Sequence, residues 1–331
     1  MQGCRIIMPK RPLRALIAFS LVSVCFGSLG CPTPPPPMPT FPDADLYYTT
    51  FNSVRMIDTM GNEHTVYAPN GADFFGLDLE GTAVFVADNT FSFLGFTPIF
   101  QDLTANDQWD ACSPQTTTCD AATDIELIPG LDDAVACADE AVVYVNIPSA
   151  MVFGGGTRAS VITQADDVAL PFSVSVNALR YAFVVGVDEM SVTDLNDPAF
   201  NTAPVNGHGI TLGGFSVFDP EGNFYVCDPG ADEIRMYTAA QISSITSSLT
   251  SGSPINETMT VLSAGGMLAG SMGADANVRG PVGIDFRDGM LWVTVDVGTG
   301  MPGHIVQVDP SDGAQTMWRT GLEGPRDIHM N

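Results

Sequence analysis

Short runs of alternating apolar and polar residues recur along the chain, and each run is bounded by glycine, proline, asparagine or aspartate. In the clearest stretch, GGFSVFDPEGNFYVCDPGADEIRMYT (213–238), two runs flank an Asp-Pro-Glu-Gly turn and a third run follows an aspartate-containing loop. Such alternation is typical of half-buried strands, and the Gly/Pro punctuation is typical of tight turns. The chain is therefore predicted to be all-β, with many short strands.

This pattern repeats. Another clear copy, a weaker copy and two degenerate copies lie at 280–310, 74–96, 131–155 and 170–194. The first strands of the five copies centre, in chain order, on Leu77, Ala136, Val174, Val217 and Ile284. Their spacing is close to the period of about 40–45 residues, with four strands per unit, that is typical of β-propellers. We expect each copy to form one blade.

The two ends of the chain together supply a sixth copy. GPRDIHMN (324–331) aligns with GPVGIDFR (280–287), which begins a repeat, whereas residues 43–61 have the pattern of a second strand, a loop and a third strand. Pairing between the two would remove the unpaired strand edges that an open ring exposes. The sequence therefore predicts a six-bladed β-propeller, residues 45–331, closed by pairing of the C-terminal strand with the N-terminal segment.

Two intervals between repeats contain insertions. One insertion is a polar loop with Cys112 and Cys119, and the other spans 239–279. In the second insertion Ile242, Ile245 and Leu249 recur at helical spacing, which predicts a short helix.

The first thirty residues have the composition of an export signal. Four basic residues precede the apolar run 15–30, which is shorter than the about 20 residues that a membrane-spanning helix needs. Cys31 follows Ser-Leu-Gly, a context that resembles a bacterial lipobox, so Cys31 is the predicted lipidation site; simple secretion and a signal anchor are the alternatives. The proline-rich stretch 31–44 is predicted to be an extended linker. The protein is thus expected in the bacterial cell envelope, periplasmic or surface-facing, and in contact with membrane through its lipid anchor alone.

Charge narrows the choice of partners. The chain has 12 Lys and Arg against 38 Asp and Glu, for a net charge of −26. Such a chain is repelled by nucleic-acid phosphates and by anionic lipid headgroups, so nucleic-acid binding is excluded. The acidic surface fits affinity for cations such as calcium, or for a basic partner, and it also fits a purely solubilising role, including in a salty habitat.

The remaining cysteines are predicted to play structural roles. Cys112 and Cys119 lie in one polar loop of an exported chain, which predicts a local disulfide bond. Cys137 and Cys227 lie within apolar runs, which is typical of buried free thiols. The sequence contains no Cys/His spacing of the kind that binds zinc.

The stretches GPVGIDFRDGMLWV and GGFSVFDPEGNFYVCDPGADEIRMY resemble NHL-type repeats. The resemblance implies a six-bladed propeller, the architecture that is also used by the senescence-marker/gluconolactonase family of calcium-dependent lactonases. Their ligand set is not recognisable here residue by residue, so the resemblance does not carry their activity to this chain.

In such propellers, the loops from second to third strands and the links between blades meet at one mouth of the channel. Transferred to this chain, that geometry predicts a binding mouth formed by residues of several blades: Asn52, Asp73, Asp88, Asn89, Asn146, Asp188, His208, Asp228, Asp296 and Arg326. Among them Asp88, Asn146 and Asp228 are the candidate calcium ligands, because calcium takes carboxylate, amide and carbonyl oxygens. The alternative is structural: an Asp or Asn at a strand end commonly bonds to its own loop.

Three functions remain open. An envelope-anchored binding or scaffold module fits the rigid, loop-built face of a propeller, and it needs no catalytic group. A calcium-dependent hydrolase or lactonase at the channel mouth is one alternative, and a purely structural envelope protein is another. Catalysis has little support, since the four histidines are dispersed and no nucleophile motif stands out. A mouth filled by apolar side chains would favour the binding module.

Overall fold

The computed structural model describes residues 44–68, 73–80, 83–88, 99–102, 107–110, 122–131, 133–138, 141–146, 159–163, 168, 170–250, 252–270, 280–298 and 301–331. All of these residues belong to one compact unit, residues 41–331. Within it the described strands form six sheets, which we number I to VI along the chain.

Each sheet is given below in its order of hydrogen-bonded strands, beginning with the strand that we call the first. Sheet I consists of β25 (Ile328–Met330), β1 (Ala44–Thr49), β2 (Val54–Asp58) and β3 (Glu63–Tyr67). Sheet II consists of β4 (Phe74–Glu80), β5 (Ala83–Asp88), β6 (Ile99–Asp102) and β7 (Asp107–Asp110). Sheet III consists of β8 (Ala122–Leu127), β9 (Asp133–Ala138), β10 (Ala141–Asn146) and β11 (Ala159–Thr163).

The other three sheets follow the same scheme. Sheet IV consists of β12 (Pro171–Val176), β13 (Tyr181–Gly186), β14 (Met190–Asp194), β15 (Thr202–Asn206) and β19 (Ile255–Asn256). Sheet V consists of β16 (Ser216–Phe218), β17 (Phe224–Asp228), β18 (Glu233–Tyr237) and β20 (Thr260–Ala264). Sheet VI consists of β21 (Gly280–Arg287), β22 (Met290–Asp296), β23 (Gly303–Val308) and β24 (Gln315–Leu322).

The sheets are arranged around their first strands. These strands contact one another in the cyclic order β25, β4, β8, β12, β16, β21 and back to β25. Strand β25, near the C-terminus, pairs antiparallel with β1, with Tyr47 opposite His329. A set of sheets whose first strands surround one axis is the arrangement of a β-propeller.

Apolar side chains fill the space between neighbouring sheets. Phe183 and Val205 of sheet IV pack with Phe224 and Tyr237 of sheet V, and a comparable cluster joins sheet V to sheet VI. In sheet V both faces of the second strand β17 (FYVCD) are therefore buried, and all five of its residues are inaccessible. Cys137 and Cys227 are free and buried in these layers, as predicted.

Turn chemistry explains how the strands of a sheet are joined. Between β16 and β17 the Asp219 carboxylate accepts the Asn223 main-chain N–H at 2.8 Å and its side-chain amide at 2.7 Å. Gly222 sits in this turn at φ +87°, a conformation that side chains disfavour. The Asp-Pro-Glu-Gly-Asn sequence thus encodes a closed turn between the first and second strands.

The insertion after sheet V contains the predicted helix. Helix α1 spans Ala239–Ser247 and begins with a capping box, in which Thr238 accepts the Gln241 N–H while the Gln241 side chain accepts the Thr238 N–H. Ile242 and Ile245 are buried against sheets IV and V. The helix is therefore part of the apolar core between these sheets.

One repeat boundary predicted from sequence is wrong. Ala136 was expected on a first strand, but it lies on β9, the second strand of sheet III, and the first strand is β8. The reason is that β8 (ATDIEL) carries two acidic residues, so its pattern does not resemble a buried strand.

Among the described residues, no helix has the length and apolar character needed to cross a bilayer.

Candidate functional site

A small cavity lies where the six first strands meet. It has a volume of about 80 Å³. Its lining residues all lie on or just before these six strands: Leu77, Asp78, Asp124, Glu126, Val174, Phe215, Ser216, Val217, Ile284, Asp285, Asp327, Ile328 and His329. Five carboxyl groups and one imidazole thus share one small, partly open space.

Most of these carboxyl groups bond to the backbone of a neighbouring sheet. Asp124 accepts the N–H of Ile125 on its own strand at 2.8 Å and the N–H of Val174 on β12 at 2.8 Å. Asp78 does the same with Leu79 on its own strand and Leu127 on β8, each at 2.6 Å.

The same arrangement continues around the cavity. Asp285 accepts the Met330 N–H of β25 at 2.6 Å, and Asp327 accepts the Leu77 N–H of β4 at 2.8 Å. Parallel neighbouring first strands have no hydrogen-bond ladder between them, so these carboxyl groups provide the polar contacts from sheet to sheet.

Burial changes the protonation of this cluster. Loss of hydration raises the pKa of Asp124 to about 8, and it raises the pKa of Glu126 and Asp327 well above the ordinary range. The negative charge of Asp78 contributes further to the raised pKa of Glu126, and Asp124 contributes to that of Asp327. Burial also raises the pKa of Asp78, against the opposing effect of the nearby His329. Burial of the cavity therefore favours the protonated form of several of its carboxyl groups.

The cavity is too small for an organic substrate. Its 80 Å³ holds two or three water molecules at about 30 Å³ each, whereas ligand sites enclose roughly 300–1,000 Å³. His329, whose Nδ1 lies 3.4 Å from Asp78 Oδ1, faces this space, but no substrate-sized volume accompanies it. The carboxyl cluster therefore acts as a structural hub that joins the sheets.

Aromatic rings cluster at one end of the cavity. The ring centroids of Phe75 and Phe172 are 6.0 Å apart, and those of Phe172 and Phe215 are 5.1 Å apart. These residues begin or precede the first strands of sheets II, IV and V, so their rings meet across the axis. We call this group the aromatic cap. It places packed apolar side chains, not open polar ones, at this end.

We call this end of the sheets the mouth face. In each sheet the first strand begins opposite the end of the second strand, as Pro171 opposite Gly186 and Gly280 opposite Asp296 show. The mouth face therefore contains the loops between second and third strands and the connections that lead into the first strands. Its described segments are 50–53, 68, 73, 168, 170, 187–189, 207–215, 229–232, 265–270, 297–298, 301–302 and 323–327.

Two residues predicted at the mouth, Arg326 and Asp73, form an ion pair there. Arg326 Nη1 lies 2.8 Å from Asp73 Oδ1. The guanidinium group also stacks over Phe75 at 4.0 Å from the ring centroid and over Phe51 at 4.9 Å. Burial lowers the pKa of Arg326, and Asp73 opposes that effect. Arg326 is thus a half-buried cation in contact with two rings and a carboxylate.

Asp228 is saturated by protein donors. It is fully buried and accepts the N–H and the hydroxyl of Thr211, the N–H of Leu212 and Nε of Arg235 at 2.7–3.1 Å. His208, nearby, is buried and accepts the Ile210 N–H at 3.1 Å. Burial, with the charge of Arg235, lowers the pKa of His208. These contacts fit the structural alternative for both residues.

Three other predicted residues are more accessible. Asn52 and Asp188 are exposed in the loops of sheets I and IV. Asp296 is half-buried and accepts the Gly298 N–H at 2.8 Å, which closes its own loop. Among the described residues, none of these three forms a hydrogen bond or an ion pair with Asp228.

The candidate calcium ligands do not form a demonstrated set. Asp88 ends β5, and only its backbone is described. Asn146 ends the third strand of sheet III and pairs with Asp133 at the beginning of β9, so it lies at the far end from the mouth face. That placement corrects the predicted mouth position of Asn146. Asn89, Cys31, Cys112 and Cys119 lie outside the described residues, within which no group of three or more acidic, histidine or cysteine side chains is placed to hold a metal.

The carboxyl hub and the aromatic cap were not predicted from sequence. The carboxyl hub corresponds to a polar position that recurs on the first strands, in LDLE, TDIEL, GIDF and RDIH. Because polar alternation is also typical of strands with one solvated face, the pattern alone does not distinguish burial from exposure.

Comparison with known proteins supports the fold. No protein-family model matches the sequence, and no curated protein is significantly similar to it. The structure is similar to a chain of a nidogen/laminin complex, with 10% identity and a TM-score of 0.61 over 86% of this chain and 96% of the other. It is also similar to a protein of unknown function from Bacteroides caccae, with 10% identity and a TM-score of 0.54 over 86% and 97% of the two chains. Neighbours of this kind are β-propeller proteins, and the chain has a propeller fold.

Proposed function

We propose that this protein is an exported, lipid-anchored binding module whose recognition surface is the mouth face of a six-bladed, NHL-like propeller. The cyclic contacts of the first strands and the pairing of β25 with β1 support the count of six and the closure of the ring. In this arrangement Cys31 carries the lipid, and residues 31–44 hold the propeller away from the membrane of the cell envelope.

The observation that carries the proposal is the contrast between the cavity and its mouth. The cavity has room for a few waters, and its carboxyl groups bond to backbone N–H groups. The mouth face, in contrast, presents an exposed phenylalanine, Phe51, above the half-buried Arg326. A rigid base with an exposed aromatic residue suits recognition of a macromolecule more than conversion of a small substrate.

The hydrolase alternative requires a metal and a substrate pocket. Asp228 has no unoccupied carboxylate oxygen for calcium, because both oxygens accept hydrogen bonds. We therefore rank the binding module above the calcium-dependent lactonase and above a purely structural envelope protein.

Site-specific photo-crosslinking of the full chain in the bacterium that exports it tests this proposal. A photoreactive amino acid replaces exposed Asn52 on the mouth face or, as a matched control, exposed Met60 in the turn between β2 and β3 at the far end. We expect a crosslinked second polypeptide at position 52 and none at 60. Equal crosslinking at both positions, or none at position 52, would refute recognition at the mouth face.

A further inference from the structure

The exposed apolar residues of the mouth face come from several different sheets. Phe51 is 61% exposed, Leu170 is 53% exposed and Met301 is 49% exposed, and they lie in or beside the loops of sheets I, IV and VI. Met267, in the connection between sheets V and VI, is also exposed. Each is a single side chain, but together they come from loops of several sheets instead of lying on one turn.

Phe51 differs from the other exposed apolar residues because its position is held. Its ring lies over the guanidinium group of Arg326, which is fixed by Asp73 and by the ring of Phe75. Phe75 is in turn packed on Phe172 of the aromatic cap. A ring that is already ordered loses little side-chain entropy when a partner binds, and this is the property of an interface anchor.

The acidic residues of the mouth face, which lie in the loops of sheets other than that of Phe51, indicate the kind of partner. Asp188 and Glu189 are exposed in the β13–β14 loop, and Asp232 and Asp296 are half-buried in the corresponding loops of sheets V and VI. Five described arginines each lie within 4.0 Å of a carboxylate: Arg55, Arg235, Arg287, Arg319 and Arg326.

We propose that the mouth face binds a basic amphipathic polypeptide segment, whose apolar side chains contact Phe51 and whose lysine or arginine side chains face the acidic loops. This inference rests on the proposed function and specifies the chemistry of its partner. With a net charge of −26 the chain attracts such a segment at long range, while the apolar contact determines where it settles.

Fluorescence anisotropy on the full chain tests the inference with a defined probe. The probe is a labelled helix-forming peptide of leucine and lysine, and its comparison peptides carry Glu for Lys or Ser for Leu. We expect only the leucine–lysine peptide to bind with measurable affinity, and we expect its affinity to fall in about 1 M salt, where the Debye length is about 3 Å.

The variants separate a site from general attraction. Phe51→Ala is expected to weaken binding by about tenfold or more, as truncation of an aromatic anchor does, while Phe51→Tyr is expected to retain most of the affinity. Met60→Ala, at 77% exposure on the far end, is the matched control and is expected to leave affinity unchanged. Circular dichroism confirms that each variant is folded.

Three results would overturn the inference. If Phe51→Ala binds the leucine–lysine peptide as tightly as the wild type, or if the Ser-for-Leu peptide binds equally well, the peptide is held by overall charge and not at the mouth. If crosslinking at position 52 captures a partner whose binding is insensitive to salt, the mouth face remains a recognition surface and only its preference for a basic segment is wrong.

Discussion

Replacing Asp124 by asparagine tests the role of the buried carboxyl hub. Asp124 accepts two backbone N–H groups, one from Ile125 and one from Val174 on the adjoining sheet, both at 2.8 Å. The asparagine side chain has the same shape but only one acceptor oxygen, so one buried N–H loses its partner. A buried N–H without an acceptor costs about 1–3 kcal/mol, and this is the expected loss in the free energy of unfolding at pH 5.

The pH dependence gives this prediction its sign. Burial raises the native pKa of Asp124 to about 8, whereas the unfolded value is about 3.9. Because the native state binds the proton more tightly, the protonated Asp124 side chain stabilises the native state. This contribution to the free energy of unfolding is complete below pH of about 4 and is lost as pH rises to about 8. The wild-type free energy of unfolding should decrease over this range, at up to about 1.4 kcal/mol per pH unit from this group. Asp124→Asn removes this contribution, so the difference in free energy of unfolding between the wild type and this variant should shrink from pH 5 to pH 9.

Urea unfolding followed by tryptophan fluorescence at pH 5, 7 and 9 measures the difference. The control is Asp312→Asn, because Asp312 is exposed and accepts only a local N–H from Ala314 at 2.9 Å. Its deficit should be within about 0.5 kcal/mol and independent of pH. A deficit for Asp124→Asn that stays constant or grows as pH rises would show that Asp124 is ionised in the native protein, and the reasoning would be wrong.

Three further outcomes are expected. Asp228→Asn should lower the free energy of unfolding by about 3 kcal/mol or more, since it breaks a buried ion pair. That loss should be equal in millimolar calcium and in chelator; a calcium-dependent difference in thermal unfolding would instead support a metal at Asp228. Gly283→Ala should destabilise the fold by about 1–3 kcal/mol, because the added methyl group would lie 2.2 Å from the carbonyl oxygen of Arg326. In the control variant Gly289→Ala the methyl group meets no atom within 4 Å, so this variant should show only the cost of its φ of +79°. Cys31→Ser should move the protein from the membrane to the soluble fraction of exporting cells, and Cys25→Ser should not; membrane retention of the first variant would contradict the lipid anchor.

The repeated units are predictable from the sequence where the local patterns are strong. The β16–β18 stretch has its strands, its Asp219–Asn223 turn and its buried second strand where the pattern predicted them, and α1 lies within the insertion expected to contain it. Pairing of residues near the C-terminus with the segment 44–49 also follows from matching incomplete repeats. These features depend on alternation and turn residues, which neighbouring positions in the chain determine.

The first strand of sheet III shows where this reasoning stops. Its residues Asp124 and Glu126 are polar, and their place beside the central axis is stable only because Val174 and Val176 of the next sheet offer N–H groups, at 2.8 Å and 3.5 Å. Those partners are about 50 residues away along the chain. No local pattern records such a contact, so the sequence assigned Ala136 to the first strand instead.

At the mouth face, too, some features follow from the sequence and others only from the tertiary structure. The sequence by itself determined the residue types at the strand ends, the excess of carboxylates and the positions of Arg326 and Asp73 between repeats. Only the tertiary structure decided that these two form a half-buried ion pair beneath Phe51 and that Asp228 is bonded to Arg235 and Thr211. It also decided that the cavity holds only a few waters. The physical reason is that burial and hydrogen-bond satisfaction depend on what other sheets bring to a side chain, and this is set when the sheets come together around the axis.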